Sequence, residues 1–330
     1  MRRLPAGFVA LALLALAATA CGSSSSDSGS GSGSSGASGS SSGGLTTVKV
    51  GVIPIVDVAP VYLGEKQGFY RKRGLDLDLE TGQGGAAIVP GVVSGQFQFG
   101  FSNTTSLMIA QSRNVPVRAV ANGVASTGKA GADFGGVVVK GDSPVKSPKE
   151  LAGKKVAVNT LQNIGDTSVR ESVRKAGGDP TKVEFVELAF DRMPAALDAG
   201  QVDAAWVVEP SLAVVKEQGG RVVASNFVDV SPDLTIALYF TSDKLAQQDP
   251  ELVEKFAEAT RESLAYANSH PDEVRDILTT YTKIPEKTLA AMTLPEWPEE
   301  PDRASLERLG ELGRADGLFE KAPDLDALLP

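Results

Sequence analysis

The chain has one cysteine and one histidine in 330 residues, and this scarcity excludes several kinds of chemistry. With Cys21 alone there is no disulfide within the chain, no zinc–thiolate site and no cysteine nucleophile in the folded body. His270 stands between two predicted helices and ahead of a proline, where a polar residue near a helix start is ordinary. We therefore expect neither a metal site nor a histidine-based catalytic triad.

The sequence motifs of common enzyme classes are also missing from the region that should fold. No Gly-x-Gly-x-x-Gly follows the first predicted strand, so no dinucleotide cofactor is indicated. There is no Walker-type phosphate loop and no nucleophile elbow at a predicted strand-to-helix turn. Carboxylates crowd the stretch EWPEEPD at 296–302, but its prolines are typical of a solvated loop. We predict a protein that binds no cofactor and is not an enzyme.

Residues 1–20 have the pattern of an export signal. Arg2 and Arg3 precede an apolar run over 4–20 that is too short and too weakly flanked for a lasting transmembrane helix. The letters ATAC at 18–21 resemble a bacterial lipobox, in which the cysteine is lipidated and becomes the mature N-terminus. We predict lipidation of Cys21. The alternative is an ordinary cleaved signal that a cysteine happens to follow.

Residues 22–46 are almost entirely serine and glycine, a composition that cannot bury enough apolar surface to fold. Such a segment behaves as a flexible coil that spans roughly 25–30 Å on average. A lipid anchor followed by this tether predicts an extracytoplasmic body, held at the outer face of the cell membrane without entering the bilayer. The formal net charge of −9, with scattered basic residues, argues against a nucleic-acid partner.

The rest of the sequence alternates between predicted strands and helices. The stretch PVYLGEKQGFYRKR at 60–73 predicts one helix, since Gly74 can close it in the left-handed conformation and the cations before Gly74 suit its negative end. The alternating leucines of LDLDLE at 75–80 then predict a strand with one buried face. Two such runs predict an α/β fold of two lobes with mostly parallel sheets, joined by two crossings.

A ligand site is predicted at the strand ends. In open α/β sheets ligands collect beyond the carboxyl ends of strands, where helix N-termini offer unsatisfied N–H groups. The residues that this rule selects are Asp57, Val58, Ser102, Asn103, Thr104, Asn122, Gln162, Asn163, Phe190, Trp206 and Glu209. Taken singly, the small polar residues also suit helix capping without a ligand, and Trp206 suits a core position. Taken together, they predict one cleft between loops of both runs.

Five stretches, in this order, carry a resemblance to a known family: GFYRKRGLDLDLE, VVSGQFQFGFSNTTSLMIAQSRNVPV, SPKELAGKKVAVN, ALDAGQVDAAWVVEP and YFTSDKLAQQDPELVEKF. They resemble the substrate-binding proteins of nitrate, sulfonate and taurine ABC importers. The resemblance implies a type II periplasmic-binding fold, with lobe 1 at 47–137 plus 232–330 and lobe 2 at 138–231. The stretches GGVVVK and IALYFTS would lie near the two hinge crossings.

The resemblance also implies an ABC permease and its ATPase as partners, and we expect a monomer that meets the membrane through its lipid anchor. A solute held by helix N-termini of both lobes would stabilise the closed state, which the permease can recognise. Helix N-termini favour an anion such as sulfonate, carboxylate or nitrate. Asp57 and Glu209 would repel a simple anion, unless they point away or pair with Lys129 or Arg192.

We therefore predict a small organic anion or zwitterion, such as a sulfonate, taurine or a carboxylate, ahead of inorganic nitrate. The alternative ligand is a thiamine-pyrimidine precursor. A second hypothesis is an enzyme similar to the yeast thiamine-pyrimidine synthase, but that resemblance requires an early histidine and a cysteine cluster, which this chain lacks. A third is a ligand-free sensor or adhesion module at the cell surface.

Overall fold

The computed structural model describes residues 44–329. The predicted signal peptide, the lipidation site at Cys21 and the tether up to residue 43 lie outside the described residues. The strands of the described part are β1 (Thr46–Val52), β2 (Leu75–Thr81), β3 (Phe99–Asn103), β4 (Val117–Ala125), β5 (Gly135–Val139), β6 (Lys155–Val158), β7 (Glu184–Glu187), β8 (Ala204–Val208), β9 (Arg221–Ala224) and β10 (Thr235–Ser242).

An α-helix follows each strand as far as β10, except after β4 and β5, and further helices of the described part then follow without another named strand. The α-helices are α1 (Ala59–Gln67), α2 (Gly85–Ser94), α3 (Thr104–Ser112), α4 (Ile164–Lys175), α5 (Met193–Asp198), α6 (Ser211–Glu217), α7 (Asn226–Val230), α8 (Asp243–Gln248), α9 (Pro250–Ser269), α10 (Pro271–Leu278), α11 (Glu286–Ala290), α12 (Arg303–Ala315) and α13 (Leu325–Leu328). No helix within residues 44–329 combines the length and the apolar character needed to cross a membrane.

The strands form two sheets of the same design. The first has the order β2-β1-β3-β10-β4 and the second the order β7-β6-β8-β5-β9. In the first sheet β1 runs parallel to β2 and β3, and β10 alone runs against its neighbours. In the second sheet β6 runs parallel to β7 and β8, and β5 is the strand that runs antiparallel to its neighbours. The predicted α/β fold with two mostly parallel sheets flanked by helices is confirmed.

The chain passes from the first sheet to the second through residues 126–134 and returns through residues 225–234. Each antiparallel strand directly follows one of these crossings and lies wholly within one sheet. The boundary expected between residues 137 and 138 therefore falls inside β5. The return crossing contains α7, which the alternation pattern did not predict because five residues are too few to show a helical period.

The prediction of one helix over 60–73 is wrong in its extent. The helix α1 ends at Gln67, and Gly68 follows in the left-handed conformation with φ 76°. A separate 3-10 turn then leads to Gly74, which is also left-handed with φ 78°. The predicted strand over 75–80 is confirmed as β2. The chain thus reverses twice, at two glycines, before it enters the sheet.

The helices α1 and α9 cover one face of the first sheet. Phe256 of α9 stacks on Phe99 of β3 with 3.8 Å between ring centroids. A Cβ atom at Gly64 of α1 would lie 1.8 Å from the Ser263 hydroxyl oxygen, so the two helices touch through a position that only glycine can occupy. This packing places the first turn of α1, and the loop before it, against the end of β1.

Candidate ligand-binding site

A crevice of about 590 Å³ lies between strand-end loops of the two sheets. Loops that follow β1 and β2 in the first sheet form one side, and loops that follow β7 and β8 in the second sheet form the other. A segment between α10 and α11 closes one end. The lining residues are 53–55, 82–83, 189–191, 194–195, 210–211, 214, 218 and 281–284. This is the strand-end location that the sequence predicts for a ligand.

The first turns of α3 and α4 are in direct contact, although α3 follows a strand of the first sheet and α4 a strand of the second. The Asn103 side chain caps α3 by accepting from the Ser106 N–H at 2.8 Å. The Asn163 side chain caps α4 by accepting from the Ile164 N–H at 2.9 Å. The Asn163 amide also donates to the Ser106 hydroxyl at 3.0 Å. Both helix starts are therefore capped by their own asparagines and joined to each other.

A second contact between the two sides lies where β2 ends. A Cβ atom at Gly84 would be 2.8 Å from the Thr160 hydroxyl and 3.2 Å from the Asn159 amide nitrogen. Gly84 has φ −176°, an extended conformation that any residue adopts. The glycine is therefore required by the proximity of the loop after β6, and not by its own backbone.

Glu209 joins three segments of the chain at the end of β8. Its carbonyl oxygen accepts from the Val56 N–H at 3.2 Å, which links the second sheet to the end of β1. Its carboxylate accepts from the Ala213 N–H at 2.8 Å and from the Thr293 N–H at 3.2 Å. Burial raises the pKa of Glu209 to about 7. The side chain is thus held by backbone donors, and Arg192 is not its partner.

Asp57 lies in the short turn between β1 and α1 and is buried, with a 2% exposed fraction. The Trp297 indole N–H donates to its carbonyl oxygen at 3.0 Å. Its Oδ1 atom has no hydrogen-bond partner among the described residues. Burial raises the pKa of Asp57 to about 7, and the nearby charge of Asp133 acts in the same direction. Asp57 therefore has one unmet oxygen; it stands two residues after the crevice residue Ile55 and does not itself line the crevice.

Phe190 is the aromatic side chain of the crevice wall on the side of the second sheet, and Trp206 packs against it without lining the crevice. The two rings pack edge-on with 5.3 Å between ring centroids. A Cβ atom at Gly165 would lie 2.6 Å from the Trp206 ring, so the first turn of α4 rests directly on the indole. The Trp206 indole N–H is buried and has no acceptor among the described residues. An unmet donor of this kind costs free energy unless a ligand or a water accepts from it.

Residues 55–274 match the family model described as "NMT1/THI5 like". The chain belongs to the NMT1/THI5-like family. The taurine-binding periplasmic protein of Escherichia coli is 27% identical over 204 residues, which are 62% of this chain and 61% of that protein. The formylaminopyrimidine-binding protein of Halalkalibacterium halodurans is 22% identical over 223 residues, 67% of this chain and 65% of that protein.

Among solved structures, the alkanesulfonate-binding protein SsuA of Xanthomonas axonopodis pv. citri, bound to MOPS, superposes with a TM-score of 0.72. Its sequence is 15% identical, and the match covers 87% of this chain and 99% of that one. At this identity the likeness shows the fold. The periplasmic-binding fold that the sequence resemblance implies is confirmed, as is the resemblance to the nitrate, sulfonate and taurine group.

Two of the predicted site residues of this NMT1/THI5-like chain bind parts of the protein remote from the crevice wall. The Thr104 hydroxyl donates to the Ile236 carbonyl of β10 at 3.3 Å. The Asn122 amide donates to the Pro298 carbonyl at 2.7 Å and so ties β4 to the segment before α12. Both side chains are buried and hold backbone together.

Three more predicted residues do not line the crevice. Val58 is fully buried in the core under α1. The Ser102 hydroxyl donates to the Asn103 carbonyl at 3.1 Å and lies under the first turn of α2. Gln162 is exposed and has φ 51°, and its N–H donates to the Asp166 carboxylate at 3.1 Å. Ligand contact by these residues stays a prediction.

Phe190 is the one predicted site residue that lines the crevice, and among the lining residues that were not predicted two groups are instructive. Gly82 and Gln83 follow β2, and the strand-end rule could have selected them from their Gly-Gln-Gly sequence. The segment 281–284 belongs to the helical tail, and no local signal marks it. It reaches the crevice because Tyr281 stacks on Tyr62 of α1 at 4.0 Å and donates to the Ile55 carbonyl at 3.0 Å.

The buried charges of the described residues have one sign. The fully buried ionisable side chains with a formal charge are Asp57, Asp133, Asp166, Glu171 and Glu209, and none of the lysines or arginines between residues 44 and 329 is buried. At the crevice itself the charged residues are Asp191 and Lys283, both exposed. The remaining lining is largely apolar. None of the buried acids lines the crevice itself.

Proposed function

We propose that this chain is the solute-binding component of an ABC importer, which takes up one small solute between its two sheets and delivers it to a membrane permease. The observation that carries this proposal is the crevice lined by strand-end loops of both sheets. The family match and the taurine-binding and formylaminopyrimidine-binding relatives support it. The partners would be the permease and its ATPase, and the receptor would act as a monomer.

The mechanism needs no covalent chemistry. Lobe 1, expected at 47–137 plus 232–330, would carry the first sheet, and lobe 2, expected at 138–231, would carry the second sheet with the whole of β5; the crossings at 126–134 and 225–234 would be the flexible connections. A solute that contacts both lobes lowers the free energy of the closed arrangement relative to the open one, in proportion to its differential affinity. The permease then distinguishes the loaded receptor from the empty one by its closure.

Attachment to the membrane is the second part of the proposal. The ATAC sequence ending at Cys21 and the Ser/Gly segment after it support a lipid anchor with a slack tether. The relative from E. coli is a periplasmic protein. We infer an extracytoplasmic receptor held at the outer face of the membrane, and mass spectrometry of the mature N-terminus would test the lipid on Cys21.

For the ligand, the described side chains favour the pyrimidine alternative over a simple sulfonate or carboxylate. The starts of α3 and α4 are already capped by Asn103 and Asn163, so their N–H groups are less available to an anion. Asp57 has an unmet oxygen, which suits an N–H donor or an ammonium group. Trp206 has an unmet N–H, which suits an acceptor. A flat, nitrogen-bearing ring between apolar walls meets both, and a zwitterion such as taurine meets them in part.

A calorimetric panel on the full mature chain tests the proposed ligand class, and an uptake measurement after gene deletion tests the receptor role. The probes are an aminopyrimidine, taurine, ethanesulfonate and nitrate, each titrated into the same preparation. We expect the aminopyrimidine to bind most tightly and nitrate not to bind. Tighter binding of ethanesulfonate or nitrate would overturn the ligand class and leave the receptor role standing. Solute uptake that persists at the wild-type level after deletion of the gene would overturn the receptor role itself.

An enzyme similar to the yeast thiamine-pyrimidine synthase remains the alternative from another class. The described residues contain a single histidine, His270, whose ring stacks on Tyr266 at 3.8 Å. The cheap test is the absorbance spectrum of the purified chain incubated with pyridoxal phosphate. A stable band from a protein-bound pyridoxal group would favour the enzyme over the receptor.

A further inference from the structure

The helix α12, near the C-terminus, contacts helices of both halves of the molecule. It follows the first-sheet strand β10 in the chain and contacts α3, which follows the first-sheet strand β3. It also contacts α4 and α7, which follow strands of the second sheet. The two sheets are otherwise connected in the chain by the crossings at 126–134 and 225–234. A change in their relative orientation must therefore alter the contact of α12 with α3 or with α4.

A buried carboxylate lies at the contact between α12 and α4. Glu171 is near the middle of α4, and its side chain is only 3% exposed. Its Oε1 atom is 2.9 Å from the Arg308 guanidinium of α12, and its Oε2 atom pairs with Arg174 on its own helix. Arg174 in turn pairs with Asp316, directly after α12, at 2.8 Å. Two ion pairs thus join α4 to α12 and to the residue that directly follows α12.

These pairs differ from the surface pairs elsewhere on the chain. An exposed ion pair is screened by salt and contributes little, whereas a carboxylate as buried as Glu171 is weakly screened and depends on its partners. Removal of Arg308 leaves Glu171 with its intrahelical partner Arg174, so the charge stays buried, and the pair of Arg174 with Asp316 then remains as the one ion pair of the two that still joins α4 to the end of α12. The lost ion pair destabilises the arrangement in which α12 and α4 are in contact, relative to an arrangement in which they are apart.

We propose that Glu171 and Arg308 form a clasp that holds α12 on α4 and favours the closed arrangement of the two sheets even without a solute. The clasp sets how much of the empty receptor is already closed. Because apparent solute affinity scales with that fraction, the pair tunes affinity without touching the solute. The link to affinity rests on the proposed receptor function, but the clasp itself is tested in the absence of any solute.

The test measures the distance between the two sheets in the empty protein. The body has no cysteine, so nitroxide labels at Val93→Cys of α2 and Leu161→Cys after β6 are specific once Cys21→Ser is present in every sample. Both native side chains are exposed, at 39% and 42%. Pulsed electron paramagnetic resonance on the full chain then gives the ratio of short to long distances. We compare the labelled reference with Glu171→Gln and Arg308→Gln.

We expect either substitution to lower the short-to-long ratio by about tenfold, and the double variant to lower it no further. Glu307→Gln is the matched control, because Glu307 pairs with Arg303 within α12 and is exposed. Unchanged distances in Arg308→Gln, or additive shifts in the double variant, would overturn the clasp. Arg308 is partly exposed, so this variant should fold even where Glu171→Gln does not, and circular dichroism verifies it. A failure to bind any solute would not affect this result.

Discussion

The Asn163 side-chain amide donates to the Ser106 hydroxyl at 3.0 Å and joins the first turn of α4 to the first turn of α3. The same asparagine caps α4 through its oxygen. One side chain therefore serves the stability of its own helix and the contact between the two sheets. The amide nitrogen serves only the contact, whereas the oxygen caps α4 and also lies 3.2 Å from the Ser106 hydroxyl, so a substitution that keeps an oxygen and removes the nitrogen separates the two functions in part.

Replacement of Asn163 by serine retains a capping oxygen but removes the amide that reaches Ser106. We expect the free energy of unfolding of Asn163→Ser to stay within about 0.5 kcal/mol of the reference, and that of Asn163→Ala to fall by about 1 kcal/mol. Both variants should weaken solute binding by about fivefold, since both lose a hydrogen bond between the sheets. Urea unfolding and calorimetry give the two quantities. Equal destabilisation of the two variants would contradict this assignment.

The two tryptophans of the chain provide a matched pair, because both are buried and only one has a partner for its N–H. Trp297 donates to the Asp57 carbonyl, whereas Trp206 has no acceptor among the described residues. Substitution by phenylalanine removes the same atoms in each case. We expect the free energy of unfolding of Trp297→Phe to be lower than that of Trp206→Phe by about 1 kcal/mol. Unfolding in urea is monitored through the fluorescence of the tryptophan that remains in each variant.

Solute binding should show the reverse order for these variants. Trp206→Phe removes a donor that we assign to the solute, so its affinity should fall by about fivefold to tenfold. Trp297→Phe should bind with nearly the reference affinity once corrected for its folded fraction. If Trp206→Phe binds as the reference does, the indole does not contact the solute.

Asp57 should make stability depend on pH in a defined direction. Its pKa is raised from 3.8 to about 7 in the folded chain, so the folded state keeps a proton that the unfolded state releases between these values. The stabilisation is complete below about pH 4 and is lost as the pH rises to about 7, by up to about 1.4 kcal/mol per pH unit. Asp57→Asn cannot titrate and should show a shallower slope in urea unfolding.

Glu209 titrates in the same window, with its pKa raised to about 7, so part of the slope should remain in Asp57→Asn. The variant should also be more stable than the reference at about pH 8, where the reference carries a buried charge. Identical slopes in the two proteins between about pH 5 and about pH 7 would show that Asp57 is solvated in the folded state.

Gly84 should control closure without controlling folding. Its extended backbone accepts any residue, but a Cβ atom would meet the Thr160 hydroxyl, in the loop after β6 of the second sheet, at 2.8 Å. We expect Gly84→Val to keep the free energy of unfolding within about 1 kcal/mol and to weaken solute binding by tenfold or more, about 1.4 kcal/mol. Gly84→Ala should be milder, and Thr160→Ala added to it should restore part of the affinity. Loss of stability equal to the loss of binding would contradict a role in closure.

Local patterns in the sequence predicted the strand–helix alternation and the two sheets. Leucine alternation specifies β2, and glycine at Gly74 specifies the turn before it, because both effects act within a few residues. The same local rules misjudged α1. Gly68 ends that helix, since its N–H and that of Phe69 bond back to the last turn and the chain then needs a second reversal.

The sequence by itself determined which residues stand at strand ends, since that follows from periodicity along the chain. Only the tertiary structure decided how their polar atoms are used, because each partner comes from a distant segment. The Asn122 amide nitrogen is taken by the Pro298 carbonyl and the Glu209 carboxylate by the Thr293 N–H, whereas the Asn122 Oδ1 atom, Asp57 Oδ1 and the Trp206 indole N–H have no partner among the described residues. Hydrogen-bond partners more than 80 residues apart leave no local pattern, so only the tertiary structure decides which polar atoms hold the fold and which stay unmet.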